Sequence, residues 1–390
     1  MRRQKLYFTI QTLLVSLICL IQSLPAQNVS SASDAADGWD APLRRCWEFE
    51  TAEMSDFPPQ SDELLTIFQT LGDGTLLAID AGSGKTVWRS QFGGEIVSNA
   101  LFEDQKLYLI NKITDETGTL FVFRSISAAT GLTLWQKNLS LKDSNRIFIL
   151  ATNAGAPAPA VNNSIVLVSR NGQILSMDKT SGAEIWRKEL LAEITAAPLL
   201  FENKLFIGTA ENKIAAFSTN GGENISALNL RNSPTGNFFV SASLLVAGDR
   251  AGGIYAFRLA DRKLLWKARA GAQIVDITEI SGDFLISSND GFVYLLAAKN
   301  GDRLWKKRLP GRLIGKPLVH DNFALLQTVD GAAALILDLS NGKPVNQILF
   351  NDNVFSANSA LFVRNRIIIP TSKGITAFSS AATAADCAEK

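Results

Sequence analysis

The chain contains very few of the residues that most often carry catalysis or hold metals. It has one histidine, His320, and three cysteines among 390 residues. A histidine-based metal cluster needs a second histidine, and a Ser-His-Asp triad would have to use His320. That residue stands beside Asp321 and Asn322, which favours a surface turn. Glycine-rich phosphate loops, Cys-x-x-Cys pairs and paired-carboxylate motifs are also missing. We therefore expect a protein that is not an enzyme and that has no catalytic residues, metal site or cofactor.

An excess of charge of either sign is missing too. The chain has 38 basic and 37 acidic residues, and the first 26 residues carry Arg2, Arg3 and Lys5 but no acid. Without that segment, 35 basic residues face 37 acidic ones. A nucleic-acid partner favours a basic surface, so we expect no nucleic acid among the partners.

Residues 1–26 are typical of a secretory signal peptide. Basic residues precede the apolar run Leu6–Leu24, and Ala26 offers a small side chain for cleavage. An uncleaved membrane anchor is the alternative, because the apolar run approaches the length that spans a bilayer. We predict an exported protein, periplasmic or associated with the cell envelope. Membrane association is then possible only through this N-terminal segment or through a partner.

A lipid anchor has less support in the sequence. Cys19 is preceded by the bulky residues Leu17 and Ile18, whereas a lipoprotein signal has small residues there. The segment therefore has no convincing lipobox at Cys19. The next residues, 27–43, are mostly small and polar, which predicts a flexible linker.

Helical periodicity is absent from the rest of the chain, and one short strand-turn-strand pattern repeats instead. In its clearest copy, 78–88, an apolar strand runs into Asp80, Gly84 closes a polar turn, and Trp88 lies on the next strand. Asp initiates tight turns with its side chain, and Gly adopts the positive φ that closes a hairpin. Alignment on the glycine and on the residue four positions later gives seven slots, with Arg262 in place of one glycine. Trp47 fits an eighth slot, although the strand before it is missing. The slots are Trp47, Trp88, Trp135, Trp186, Ser226, Trp266, Trp305 and Asn346. A period of about 40 residues made of short strands is typical of propeller blades.

The tryptophans of these slots are predicted to dock each blade on its neighbour. A flat side chain on the outer strand can bury roughly 150–250 Å² against the next blade. A ligand cage is the alternative, but identical placement in successive repeats favours packing. The predicted blade-docking residues are Trp47, Trp88, Trp135, Trp186, Trp266 and Trp305.

The run Ala-x-Asp-x-x-Ser/Thr-Gly-x-x-x-Trp resembles the repeat of the PQQ-type, or quinoprotein-like, β-propeller family. It stands at 78–88 and recurs with substitutions, so that the resemblance covers 44–380. Among members of this length, the chain is similar to the BamB-like outer-membrane-protein assembly factors. This resemblance implies a non-catalytic, exported scaffold whose protein partners belong to an outer-membrane assembly complex. The alternatives are a PQQ- or sugar-binding quinoprotein-like enzyme and a secreted extracellular binding module. Quinoprotein dehydrogenases are longer and carry adjacent cysteines, which this chain lacks.

The predicted fold is all-β: an eight-bladed β-propeller of four-stranded antiparallel blades over 44–380, followed by a C-terminal tail, 381–390. The segment after residue 350 supplies only three strands. The N-terminal strand that carries Trp47 is therefore expected to close the ring. That closure brings Cys46 near Cys387, so an exported protein can form a disulfide between them, although two unpaired thiols remain the alternative.

Two stretches are longer than the repeat requires. Blade 2 gains about seven residues around 113–118, and about eleven more enter around 141–150. In a four-stranded antiparallel blade both positions exit at the same end, so we expect one shared surface there. Loops on a rigid scaffold commonly bind partners, although tolerated surface padding is the alternative. The predicted partner residues are Asp115, Glu116, Lys142, Asp143, Arg146 and Phe148.

Overall fold

The computed structural model describes residues 39–53, 55–142, 144–152, 163–329, 333–350, 354–380 and Cys387. Within these residues the chain forms strands and turns and no helix. Accordingly, no described helix has the length and apolar character to cross a bilayer. The strands form eight antiparallel sheets, which confirms the predicted eight-bladed propeller. The predicted signal peptide 1–26 lies outside the described residues.

The first four blades follow one another along the chain after strand β1 (Leu43–Glu50). Blade 1 contains β2 (Gln60–Ser61), β3 (Thr66–Thr70), β4 (Thr75–Asp80) and β5 (Thr86–Gln91). Blade 2 contains β6 (Glu95–Ile96), β7 (Leu101–Glu103), β8 (Lys106–Asp115), β9 (Gly118–Ser127) and β10 (Thr133–Leu139). Blade 3 contains β11 (Ile147–Ala151), β12 (Ser164–Ser169), β13 (Gln173–Asp178) and β14 (Glu184–Glu189). Blade 4 contains β15 (Leu199–Phe201), β16 (Lys204–Thr209), β17 (Lys213–Ser218) and β18 (Asn224–Asn229).

The other four blades have the same order, from the innermost strand to the outermost. Blade 5 contains β19 (Pro234–Val240), β20 (Leu244–Asp249), β21 (Gly253–Arg258) and β22 (Lys263–Arg269). Blade 6 contains β23 (Ile274–Ile280), β24 (Asp283–Ser288), β25 (Phe292–Leu296) and β26 (Arg303–Arg308). Blade 7 contains β27 (Leu318–His320), β28 (Phe323–Leu326), β29 (Ala333–Asp338) and β30 (Lys343–Leu349). Blade 8 contains β31 (Leu361–Val363), β32 (Arg366–Thr371), β33 (Gly374–Ser380) and, as its outer strand, β1.

The core lies between adjacent blades, because the middle strands of a blade face two neighbours. All six residues of β12 are buried, whereas exposed and half-buried residues alternate in the second half of the outer strand β14. This explains why the middle strands have continuous apolar runs in the sequence and the outer strands do not. The innermost strand of blade 2 is split, since β6 and β7 both pair with β8.

The N-terminal strand closes the ring as predicted. β1 pairs antiparallel with β33, with Trp47 opposite Ala377 and Phe49 opposite Ile375. Cys46 and Cys387 form a disulfide whose two Cα atoms are 4.7 Å apart. The two ends of the described chain are therefore joined both by backbone hydrogen bonds and by a covalent link.

Each indole of the repeat contacts the following blade in the same way. The indole N–H donates to a backbone carbonyl there, as in Trp88 to Ala128 at 2.8 Å and Trp305 to Leu339 at 2.8 Å. The ring lies against the turn glycine of that blade: a Cβ on Gly342 would stand 2.6 Å from Cε3 of Trp305. The same bond is made by Trp47, Trp135, Trp186 and Trp266.

This contact explains why one repeat has Arg262 in place of glycine. The glycine is required where the preceding blade presses an indole against the turn. The slot that precedes Arg262 around the ring is Ser226, so no indole stands there. Arg262 keeps the positive φ of the turn, 61°. Its Cβ is tolerated because no indole from the preceding blade is pressed against this turn.

The slot at Asn346 also lacks an indole, and a residue of the predicted linker takes its place. Trp39 is only 2% exposed and packs with Ile348 and Phe378 between blades 7 and 8. The side-chain amide of Asn346 donates to the carbonyls of Trp39 at 3.0 Å and Ala41 at 2.5 Å. The predicted linker 27–43 is therefore part of the propeller from Trp39 onward, whereas 27–38 lies outside the described residues.

The second insertion lies elsewhere than the sequence suggested. The connection from β10 to β11, 140–146, is no longer than the corresponding connection from β14 to β15, 190–198. The extra residues instead lie between β11 and β12, at 152–163. The prediction of 141–150 was wrong because the spacing from Trp135 to Ser164 gives an excess without its position. Most of this connection, 153–162, lies outside the described residues.

Candidate functional site

One face of the propeller carries the turn between β8 and β9 and the connections that lead from each blade to the next; we call it the hairpin face. The β8–β9 hairpin extends beyond its blade here. Its strands pair from Lys106–Ser127 to Asp115–Gly118, whereas β10 accompanies β9 only as far as Phe121. Residues 114–120 are all exposed. The hairpin tip therefore stands free of the ring.

The predicted partner residues Asp115 and Glu116 lie at this tip. The carboxylate of Asp115 accepts bonds from the Thr117 hydroxyl at 2.6 Å and from its backbone N–H at 2.7 Å. These bonds lower the pKa of Asp115, so the tip holds a fixed negative charge at neutral pH. Glu116 is exposed beside it.

The connection 140–146 lies next to this hairpin. The Lys112 ammonium on β8 donates to the side-chain carbonyl of Asn145 at 3.4 Å. The backbone N–H of Lys142 donates to Gln173 at 2.6 Å, and its ammonium forms an ion pair with Glu189. Lys142 thus anchors the connection to blade 3. Asp143, also predicted as a partner residue, lies outside the described residues.

Arg146 and Phe148 contact a different part of the molecule from the hairpin tip. The guanidinium of Arg146 stands 5.7 Å from the ring centroid of Phe57 and 5.5 Å from that of Phe148. Both distances allow cation–π attraction. Burial by these neighbours lowers the pKa of Arg146, the charge of Arg170 adds to this, and Asp56 opposes it. The structure therefore places two of the predicted partner residues, Asp115 and Glu116, at the tip and two others, Arg146 and Phe148, beside the propeller axis.

Two cavities meet at Arg146 and Phe57. The first has a volume of about 750 Å³, and its remaining lining residues are Asp56, Glu95, Ser144, Asn145, Arg170, Asn171 and Glu193. In it, Arg170 and Glu193 form an ion pair at 2.9 Å. The second, of about 690 Å³, is lined by residues from all eight blades and so lies on the propeller axis. Sequence reasoning missed Phe57, Arg170 and Glu193, because they lie in connections and turns of ordinary length.

The single histidine contributes to packing. The ring of His320 stacks on Trp39 at 5.3 Å and lies 4.3 Å from the ring of Phe362. Its Nε2 is 3.6 Å from the carboxylate of Asp321. His320 thus belongs to the aromatic cluster that covers the boundary of blades 7 and 8.

The alternative of a quinoprotein-like enzyme would require a calcium-bound quinone, and the described residues of the axial cavity do not fit the calcium ion. Calcium prefers carboxylate and carbonyl oxygens. The described lining of the axial cavity includes Arg146 and Lys316 but no carboxylate. Elsewhere in the described ranges, no three His, Cys, Asp or Glu side chains converge as a metal site.

Comparison with known families matches this chain along almost its whole propeller. The family described as outer membrane protein assembly factor BamB matches in four overlapping segments, 28–147, 116–252, 210–348 and 250–386.

Two curated relatives are similar to the chain. The outer membrane protein assembly factor BamB of Shewanella oneidensis is 24% identical over 295 residues, covering 70% of this chain and 71% of that protein. The quinoprotein alcohol dehydrogenase PedH of Pseudomonas putida is 27% identical over 154 residues. That match covers 36% of this chain and 24% of PedH, about a quarter of its length.

Solved structures share the fold at low sequence identity. BamB from Moraxella catarrhalis has a TM-score of 0.69 at 17% identity, covering 87% of this chain and 98% of that one. The computationally designed protein Ika8 has a TM-score of 0.68 at 15% identity, covering 85% and 97%. Saccharomyces cerevisiae Sqt1 has a TM-score of 0.67 at 12% identity, and it also covers 85% of this chain and 97% of that one. Because these values are so similar, they identify the propeller architecture alone.

Proposed function

We infer the function from the family: the chain belongs to the family of outer membrane protein assembly factor BamB. We propose that it is a non-catalytic propeller scaffold that binds protein partners of an outer-membrane assembly complex. The proposal includes export, with 1–26 as the signal peptide and 27–38 as the tether that precedes Trp39. The basis for export is the N-terminal sequence together with the family.

The observation that carries the docking part of the proposal is the free hairpin tip on the hairpin face. Residues 114–120 are exposed, and Lys112 braces the hairpin against Asn145 in the neighbouring connection. A rigid ring that holds one protruding hairpin in place reduces the entropy lost when a partner binds. This supports the tip, together with 140–145, as the surface on which a partner docks.

The tip offers two kinds of contact to a partner. Residues Gly118–Leu120 of β9 continue beyond the end of β10, so their outer backbone edge is not paired with that strand. An extended segment of a partner would add to this edge as a strand. Asp115 and Glu116 add negative charge, which favours a partner with a basic surface next to its extended segment.

A photo-crosslinking amino acid at Glu116 tests this surface in intact cells, with the same amino acid at exposed Lys85 as the control. Lys85 lies in a turn at the opposite face. We expect position 116 to capture outer-membrane assembly proteins and position 85 to capture none of them. Equal capture at both positions would contradict the assignment of the face.

A shortened hairpin provides an independent test. Replacing 114–119 by Asn-Gly joins Ile113 and Leu120, a paired position of the ladder, through a two-residue turn. The variant should keep the thermal stability of the unaltered protein and lose at least tenfold in partner recovery. Unchanged recovery would show that the tip is not the docking surface.

A quinoprotein-like enzyme is the second candidate, favoured by the similarity to PedH over 154 residues. Mixing the purified protein with PQQ and calcium, followed by gel filtration, tests it. Quinone absorbance that elutes with the protein would support this candidate, and free quinone alone would oppose it.

A further inference from the structure

The axial cavity has the dimensions and walls of a binding site for a small organic molecule. Its volume of about 690 Å³ lies within the range of ligand pockets. Its lining residues lie in the innermost strands or in the connections just before them, so the cavity is enclosed by the inner edges of the blades. The apolar part of the wall includes Phe57, Pro58, Pro59, Phe148, Val275 and Leu318.

Charges of one sign face this cavity. Arg146 and Lys316 are the only charged residues among its described lining, and both are positive. The other polar side chains of the wall are uncharged, and they include Gln60, Asn99, Asn237, Thr278 and Asn358. A cavity of this kind favours an anion over a neutral or cationic ligand.

Two carboxylates that interact with these cations, those of Asp276 and Asp56, are not among the lining residues of the cavity. Asp276 is only 1% exposed, and its oxygens accept bonds from Asn237 and Thr278, each at 2.6 Å. Burial raises the pKa of Asp276, and Lys316 opposes this through its charge. Asp56, which attracts Arg146, lines the neighbouring polar cavity instead.

Neither cation of the cavity is held in an ion pair by the described part of the chain. Arg146 is supported by the rings of Phe57 and Phe148, which orient its guanidinium without using its N–H groups. The loop that carries Lys316 is fixed because its backbone N–H donates to the Ser359 hydroxyl at 2.8 Å. The guanidinium of Arg146 and the backbone of Lys316 are thus held in place without an ion pair to either side chain.

We propose that the axial cavity binds an organic carboxylate with an apolar body. Arg146 holds the carboxylate through paired N–H bonds, Lys316 adds positive charge, and the phenyl rings and prolines contact the apolar body. The carboxylate belongs to a free small acid or to an acidic residue within an apolar peptide segment. The site is separate from the hairpin tip, so the inference does not rest on the proposed docking function.

Three molecules of one shape test the charge requirement by calorimetry on the full mature protein: 4-phenylbutyrate, its neutral amide 4-phenylbutyramide, and the cation 4-phenylbutylamine. We expect the acid to bind at least tenfold more tightly than the amide and the amine to show no binding. Equal affinities for acid and amide would overturn the proposal, and so would absence of acid binding at millimolar concentration.

Variants locate the site. Arg146→Gln and Lys316→Gln should each weaken 4-phenylbutyrate binding, by tenfold or more for Arg146→Gln, while Lys85→Gln at the opposite face should leave it unchanged. Near-ultraviolet circular dichroism checks that each variant keeps the packing of its aromatic residues. Binding that survives Arg146→Gln in a folded variant would place the ligand elsewhere and refute the proposal.

A capped peptide with one glutamate between two phenylalanines distinguishes the two sources of the carboxylate. Competition of the peptide with 4-phenylbutyrate in the unaltered protein, together with direct peptide binding that is weakened in Arg146→Gln, supports a peptide ligand. Binding of the small acid without competition by the peptide supports a free small acid.

Discussion

Replacing Gly342 by alanine tests whether the indole of one blade dictates the glycine of the next. Gly342 has a φ of 68°, and an added Cβ would stand 2.6 Å from Cε3 of Trp305. The left-handed backbone costs an alanine about 1–2 kcal/mol, and displacing the indole costs a further 1–3 kcal/mol or so. We therefore expect Gly342→Ala to destabilise the protein by roughly 2–5 kcal/mol.

Removing the indole of Trp305 should remove the cost of displacing it from the added Cβ of Gly342→Ala. Trp305→Ser alone should cost roughly 2–4 kcal/mol, because the ring is half-buried and its N–H bond to Leu339 is lost. In the Trp305→Ser background, Gly342→Ala should cost only the backbone strain. The double-mutant cycle should then give a coupling of about 1–3 kcal/mol.

The measurement is thermal unfolding followed by circular dichroism in the far ultraviolet, which does not depend on the altered tryptophan. In a propeller of this size, 1 kcal/mol corresponds to roughly 2 °C in Tm. Arg262→Gly is the matched control, because its slot in the preceding blade already holds Ser226 and no indole is displaced. Additive Tm shifts for Trp305→Ser and Gly342→Ala would refute the explanation given for Arg262.

Three further perturbations have defined outcomes. Trp39→Ala should lower the free energy of unfolding by about 3–5 kcal/mol, measured by urea unfolding, because the ring fills the boundary of blades 7 and 8. Trp39→Phe should lower it by less than half of that. A loss below 1 kcal/mol in Trp39→Ala would contradict this role. Replacing both Cys46 and Cys387 by serine should lower stability by up to about 5 kcal/mol, since the disulfide spans 341 residues; an unchanged urea midpoint in the oxidised protein would contradict this. The Ser181 hydroxyl and N–H lower the pKa of Asp178, so its stabilisation is present above about pH 4, the ordinary range for Asp, and is lost as pH falls through the lowered value. Asp178→Asn should therefore lose less Tm than the unaltered protein between pH 5 and pH 3, and parallel pH profiles would refute the assignment.

Much of the fold followed from local signals. The Asp-to-Gly turn and the following tryptophan recur at a spacing that gives the number of blades, and the missing fourth strand after residue 350 predicts closure by the N-terminal strand. Turn formation depends on a few neighbouring residues, so a sequence displays it directly. The same register placed Cys46 on the closing strand, and the structure joins it to Cys387.

Other features depend on contacts between residues far apart in the chain. No role for Trp39 could be read from the repeat, because its partners Ile348 and Phe378 come from blades 7 and 8. The spacing between Trp135 and Ser164 concealed which connection of blade 3 is long. Arg146 was expected on an outer surface, yet its contacts with Phe57 and Phe148 place it at the axial cavity.

The sequence by itself therefore determined the repeat, the number of blades and the closing strand, because these arise from short-range turn and strand preferences. Only the tertiary structure decided which connection of blade 3 is long, which side chain fills a missing slot, and which charges line the axis. Closing the ring brings residues of all eight blades together around the axis. The charges that line the axial cavity therefore come from separate segments, and no single stretch of sequence displays them together.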